Sequence, residues 1–77
     1  MKVYIVLHKD KHIDENVKPF VTLERAISYA NEVAFINDRF EKFDPKIHGT
    51  FPNHDGWVYE AIYGEEGCGT RVYETDL

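Results

Sequence analysis

The sequence is short of cysteine, of serine, of cations and of long apolar runs, and each shortage removes a class of protein. Cys68 stands alone, so no internal disulfide can form. Small domains often need a staple, which leaves a metal, a partner or nothing. A lone thiol also suits a reducing compartment. No stretch approaches the ~20 consecutive apolar residues of a membrane-spanning helix. Residues 1–7 carry one basic residue and a short apolar run, too brief for a signal peptide, so a cytoplasmic protein is expected. Nine Lys and Arg stand against 14 Asp and Glu, a net charge of −5. The cations do not cluster beyond Lys9 and Lys11, and a phosphate backbone repels such a surface, so direct nucleic-acid binding is disfavoured. A basic protein or nucleoprotein partner suits the charge.

Aromatic residues are plentiful, with five Tyr, five Phe and Trp57 in 77 residues, which argues for a folded core. Residues 3–8 read as a strand with Val3, Ile5 and Leu7 on one face and Tyr4 and Val6 on the other. Two apolar faces imply cover on both sides. Residues 9–16 are charged and read as a loop. Residues 17–21 contain Pro19, which lacks a ladder N–H, so any strand there lies at an edge. Thr22 is a candidate N-cap, and Glu24 follows where the helix dipole favours negative charge. The helical pattern runs over 23–43, and Asp44-Pro45 ends it. Its apolar positions span roughly 200° of arc, about twice what one sheet face needs. The excess predicts a second cover, from the following loop or another subunit, over Tyr29, Ile36 and Phe43, and makes these the expected interface of a homodimer. Phe35 falls on the opposite, polar face. Residues 44–56 read as a long loop of the length that is often functional. Residues 57–63 and 70–75 form a hairpin around the glycine-rich turn at 64–69. The expected architecture is one α+β domain over 1–77: a long helix packed on a small, mainly antiparallel sheet in the order β-(β)-α-β-β.

Three kinds of chemistry fit the residues. His8, Asp10, His12 and Asp14 alternate, so on a continuing strand they would face one way and could hold a transition metal, helped by His48, His54 and Asp55. A solvated turn explains the same residues, since Lys9, Lys11 and Glu15 intervene; no cofactor is expected, and His8, Asp10 and His12 remain weak metal candidates. A small hydrolase or transferase would draw on Asp10, His12, Glu60 or Cys68. Ser28, the single serine, lies on the polar helix face, and Cys68 sits between glycines, where a small turn residue is the commoner reason. A chain this size has little room for a pocket of ~300 Å³, so no enzyme is expected. The 64–69 glycines lack the Lys and the following helix of a phosphate loop. Aromatic and acidic residues together point instead to protein contact. Phe35, Phe51, Tyr59, Tyr63 and Tyr73 are the aromatic candidates, although one hairpin face must be core. Phe35, Asp38, Glu41, Glu65 and Glu66 are the expected partner-binding residues.

Val-Tyr-Ile-Val-Leu-His-Lys-Asp at 3–10, the helix entry Thr-Leu-Glu-Arg-Ala-Ile at 22–27, and the closing aromatic hairpin from Gly56-Trp57-Val58-Tyr59 through Arg71-Val72-Tyr73-Glu74 form a recurring plan. In it the chain resembles the short acidic proteins of bacteriophages and other mobile elements. That resemblance implies a non-enzymatic inhibitor or adaptor of the anti-CRISPR or anti-defence type, acting stoichiometrically on a host defence or nucleic-acid-processing protein. Such targets present basic channels that an acidic protein can occupy.

Overall fold

The first strand, β1 (Lys2–Asp10), alternates as its sequence requires, turning Tyr4, Val6 and His8 toward a helix and Val3, Ile5 and Leu7 away from it. In the computed structural model, which describes residues 1–10, 13–38, 43–52, 54–63 and 68–77, six further elements follow. They are β2 (Ile13–Phe20), α1 (Leu23–Asn37), the single turn α2 (Pro45–His48), β3 (Gly49–Thr50), β4 (Trp57–Ile62) and β5 (Gly69–Asp76). All five strands form one antiparallel sheet in the order β2-β1-β5-β4-β3, with α1 packed across one face.

The expected α+β class and antiparallel sheet are found, with three differences. First, α1 has 15 residues and stops at Asn37 instead of reaching residue 43. The Asn37 side-chain amide donates to the Val33 carbonyl at 2.8 Å, and Asp38 turns out of the helix in extended conformation while its N–H still reaches Ala34 O. Second, the polar stretch after His8 is no simple loop. β1 runs on to Asp10 and β2 starts at Ile13, with a bulge between His8 and Asp10. Pro19 does sit on an edge strand, where its missing N–H costs no ladder bond. Third, residues 44–56 contain α2 and β3. Asp44 caps α2, its carboxylate accepting Lys46 N–H at 2.9 Å, and Pro45 occupies the first helical position, which suits its fixed φ. A Cβ at Gly49 would collide with the Tyr59 hydroxyl and the Pro45 carbonyl, so only glycine lets β3 lie against β4 there.

The core lies between α1 and the sheet. Ala26, Ala30 and Ala34, one turn apart, are fully buried and let the helix axis approach closely. Val6 and Val72 fill the space below, and Thr70 donates its hydroxyl to the Ala30 carbonyl at 3.0 Å. Two of the three residues expected to need a second cover find it within the chain. Tyr29 packs on Phe20 of β2 at 5.2 Å, with the Lys18 ammonium 4.8 Å from its ring. Phe43 is 6% exposed in the core and stacks on His48 of α2 at 5.8 Å. Phe43 therefore offers no surface to a second subunit, while Ile36 stays exposed.

Candidate functional site

Two groupings of side chains are built by the fold, one buried and polar, the other exposed and aromatic. The polar one centres on Tyr63, just past β4. Its hydroxyl lies 2.6 Å from His8 Nε2 and 2.6 Å from Asp10 Oδ2, joining two strands that are not neighbours in the sheet. A phenol has one proton to give. With that proton donated to Asp10, His8 must donate from Nε2. Burial holds the His8 imidazole below its usual range, with Asp10 opposing, so the ring is neutral near pH 7. Burial and the Asp10 carboxylate push the Tyr63 phenol well above its ordinary value, and Cys68 and Asp38 lie close enough to push the same way. A hydroxyl held so firmly protonated is the opposite of a phenolate nucleophile or base. The cluster ties β1 to the end of β4, using its polar groups on one another.

This geometry also places the metal candidates. His8 and Asp10 are brought together, but through Tyr63, which occupies His8 Nε2 and one Asp10 oxygen. His12 and the Asp14 side chain lie outside the described residues. His48 accepts the Asp44 N–H through Nδ1 at 2.9 Å. His54 stacks on Trp57 at the far end of β4, about 20 Å from Tyr63 at ~3.3 Å per residue. Among the described residues no three His, Cys, Asp or Glu side chains are placed to hold an ion.

The exposed grouping surrounds the C-terminal half of α1. Phe35 is 61% exposed and Ile36 69%. Asn31, one turn before Phe35 on the same side of the helix, accepts the Tyr59 hydroxyl at 2.5 Å, and burial raises that phenol's pKa despite the bond. Phe51 packs edge-on against Tyr59 with centroids 5.1 Å apart and is itself 69% exposed. Asn31 and Tyr59 thus bring Phe35 and Phe51 to one side of the molecule. Ile47, 71% exposed on α2, adds to it next to β3 and β4. Phe35, Phe51 and Ile47, three large apolar side chains left to solvent on neighbouring elements, exceed the scattered single residues normal for a surface, while Ile36, two turns on from Tyr29, lies on the side of α1 that faces β2.

Of the expected partner-binding residues, Phe35 is where it was placed, on the exposed helix face. Asp38 is 5% exposed and turned inward near Tyr63, so its carboxylate is not offered to a partner. Glu41, Glu65 and Glu66 lie outside the described residues. Tyr59 and Tyr63 are core, as one hairpin face had to be, and Tyr73 lies on the opposite face beside Trp57. Sequence reasoning missed Ile47 and the role of Tyr63 as a hub. The clue to the second was a polar alternation, His8 and Asp10, on a strand with an otherwise apolar inner face. No protein-family model matches the chain, and no curated protein or solved structure matches it either.

Proposed function

We propose that this chain is a non-catalytic protein-binding module, an inhibitor or adaptor that occupies a basic partner of the host-defence or nucleic-acid-processing kind. The observation that carries the reading is the exposure of Phe35 and Phe51 on one side of the molecule, with Ile47 exposed on neighbouring α2, on an acidic chain. Aromatic anchors supply contact area and surrounding acidic groups supply steering, the usual division of labour at an interface. Glu32, one turn before Phe35 and Ile36 and exposed, is the nearest anion on α1. Glu41, Glu65 and Glu66 are the further acidic contacts that the composition suggests.

The test compares the tagged chain with a Phe35→Ala/Phe51→Ala variant in pull-downs at low and high salt, followed by calorimetry on the recovered partner. Both side chains are largely solvent-exposed, so the variant should keep its far-UV spectrum. Loss of one dominant, salt-sensitive, basic partner in the variant supports the reading. Equal recovery by both proteins overturns it. Charge reversal at Glu65 and Glu66 should weaken the same binding and flatten its salt dependence.

A further inference from the structure

The sheet face opposite α1 is apolar. On it lie Ile5 and Leu7 of β1, Val17 of β2, Tyr73 of β5, and Trp57 and Ile62 of β4, aligned across the strands by the registers Ile5↔Tyr73, Leu7↔Val17 and Trp57↔Tyr73. An antiparallel sheet with one wet face normally alternates apolar-in and polar-out. β1 does not; it is apolar on both faces, and although Val3 at its start is buried, Ile5, Leu7, Trp57 and Tyr73 are only half-buried, and among the described residues no helix packs over them. Val17 is 57% exposed and Ile62 42%. We propose that this face is the interface of a homodimer, two copies packing sheet on sheet.

Charge selects a second copy over a basic or nucleic-acid partner here. The chain carries −5, yet among the described residues this face carries Lys9 and Arg71 against Glu15 and Glu60, two charges of each sign. Arg71 is already engaged, 3.0 Å from Glu60 and stacked 4.7 Å over the Trp57 ring. Two copies can therefore meet without bringing their acidic excess together, and among the described residues the face holds two cations, Lys9 and Arg71, too few for a stripe that would track phosphates. Size allows it as well. Four strands ~4.8 Å apart and about six residues long at ~3.3 Å give a face of roughly 19 by 20 Å. With side-chain relief, two such faces bury on the order of 1,200 Å², the lower end of stable interfaces, so a dimer of micromolar strength is expected. Twisted sheets pack about 10 Å apart at about −30°, and a two-fold arrangement sets the central Ile5, Leu7 and Tyr73 of one copy on those of the other.

Sedimentation equilibrium of the full chain from about 1 μM to about 1 mM tests this. A monomer–dimer equilibrium is expected that is unchanged or strengthened by salt, the opposite of binding to a basic partner. Leu7→Asp should weaken it at least tenfold. Val17→Asp, at an exposed edge-strand position that cannot unfold the core, should weaken it too. Phe35→Ala should leave it intact, which separates this surface from the proposed partner site. Trp57, the single tryptophan, should shift its emission to the blue with rising concentration in the wild type but not in Leu7→Asp. A monomer throughout the range overturns the inference. So does a dimer indifferent to both Asp variants while their far-UV spectra are unchanged, a dimer lost in Phe35→Ala, or a monomer whose Trp57 is quenched saturably by single-stranded RNA, which would assign the face to nucleic acid.

Discussion

Tyr63→Phe isolates the polar cluster, because the ring stays and only the hydroxyl goes. That hydroxyl makes two short contacts, 2.6 Å to His8 and 2.6 Å to Asp10, inside a site where Tyr63 and His8 are both buried. The bond to a carboxylate contributes about 1.5–3 kcal/mol and the bond to a neutral imidazole about 0.5–1.5 kcal/mol. Asp10 keeps another interaction and is only part-buried, so the lower half of the sum applies, about 2–3 kcal/mol. A single core of this size typically supplies ~3–5 kcal/mol in all, so the loss is about half of the stability. Urea unfolding at pH 7, followed by far-UV circular dichroism, should show the midpoint falling with an unchanged slope, and the thermal midpoint should drop by about 10–20 °C. Tyr4→Phe is the matched control: its hydroxyl reaches Glu74 at 3.4 Å, a marginal bond, and its removal should cost less than about 0.5 kcal/mol. A Tyr63→Phe loss as small as the control's would refute the assignment of Tyr63 as the tie between β1 and β4.

Three further perturbations probe the same framework. His8 has its pKa lowered on folding, so its contribution is complete above the unfolded value of 6.5 and declines as pH falls below it, where the unfolded chain takes up the proton first. Urea midpoints should therefore decrease from pH 7 to pH 5, and His8→Gln, which retains a side-chain N–H but does not titrate, should flatten that decline. Ala30→Leu forces a branched side chain between α1 and the sheet, where Ala30 has no exposed surface, and should cost about 1–3 kcal/mol in the same unfolding assay. Gly56 has φ of +73° in the two-residue turn between His54 and Trp57, with a Cβ position 3.1 Å from the Glu74 carbonyl, so Gly56→Ala should lower stability by about 1–2 kcal/mol.

Local signals carried much of this fold, and non-local ones the remainder. Thr22 announced the start of α1, accepting Arg25 N–H as a cap should, and Pro19 announced an edge. Asp44-Pro45 was ambiguous by nature. The pair that can stop one helix is also the cap and first residue of another, and here it starts α2. The helix end at Asn37 depends on a side-chain amide bonding its own backbone, a choice that polar residues make in many contexts. The charged run after His8 looked like a loop because its partner was invisible locally: Tyr63, which makes a strand end hospitable to His8 and Asp10, is 55 residues from His8 in the sequence. The same holds for the exposed surface. Phe35 and Phe51 could each be singled out by pattern, but that they share a side follows from the Tyr59–Asn31 hydrogen bond, which no periodicity encodes.

The placement of the two surfaces fixes how they would act together. α1 covers one face of the sheet, and the Phe35 and Phe51 cluster lies on that side, while the apolar face with Ile5 and Leu7 lies on the other. Sheet-to-sheet pairing therefore turns both helices outward and sets two copies of the aromatic surface on opposite ends of the dimer. One small partner cannot reach both, so the dimer would hold two partners apart or bridge two sites of a multi-subunit target, where the second contact gains from effective concentration. Light scattering on the mixture with a monomeric partner should then give a two-to-two complex for the wild type and a one-to-one complex for Leu7→Asp. Binding per site should be unchanged in Leu7→Asp, because its substitution lies across the sheet from Phe35. A one-to-one complex for the wild type, at concentrations where the free chain is dimeric, would mean that partner binding dismantles the dimer and that the two surfaces compete.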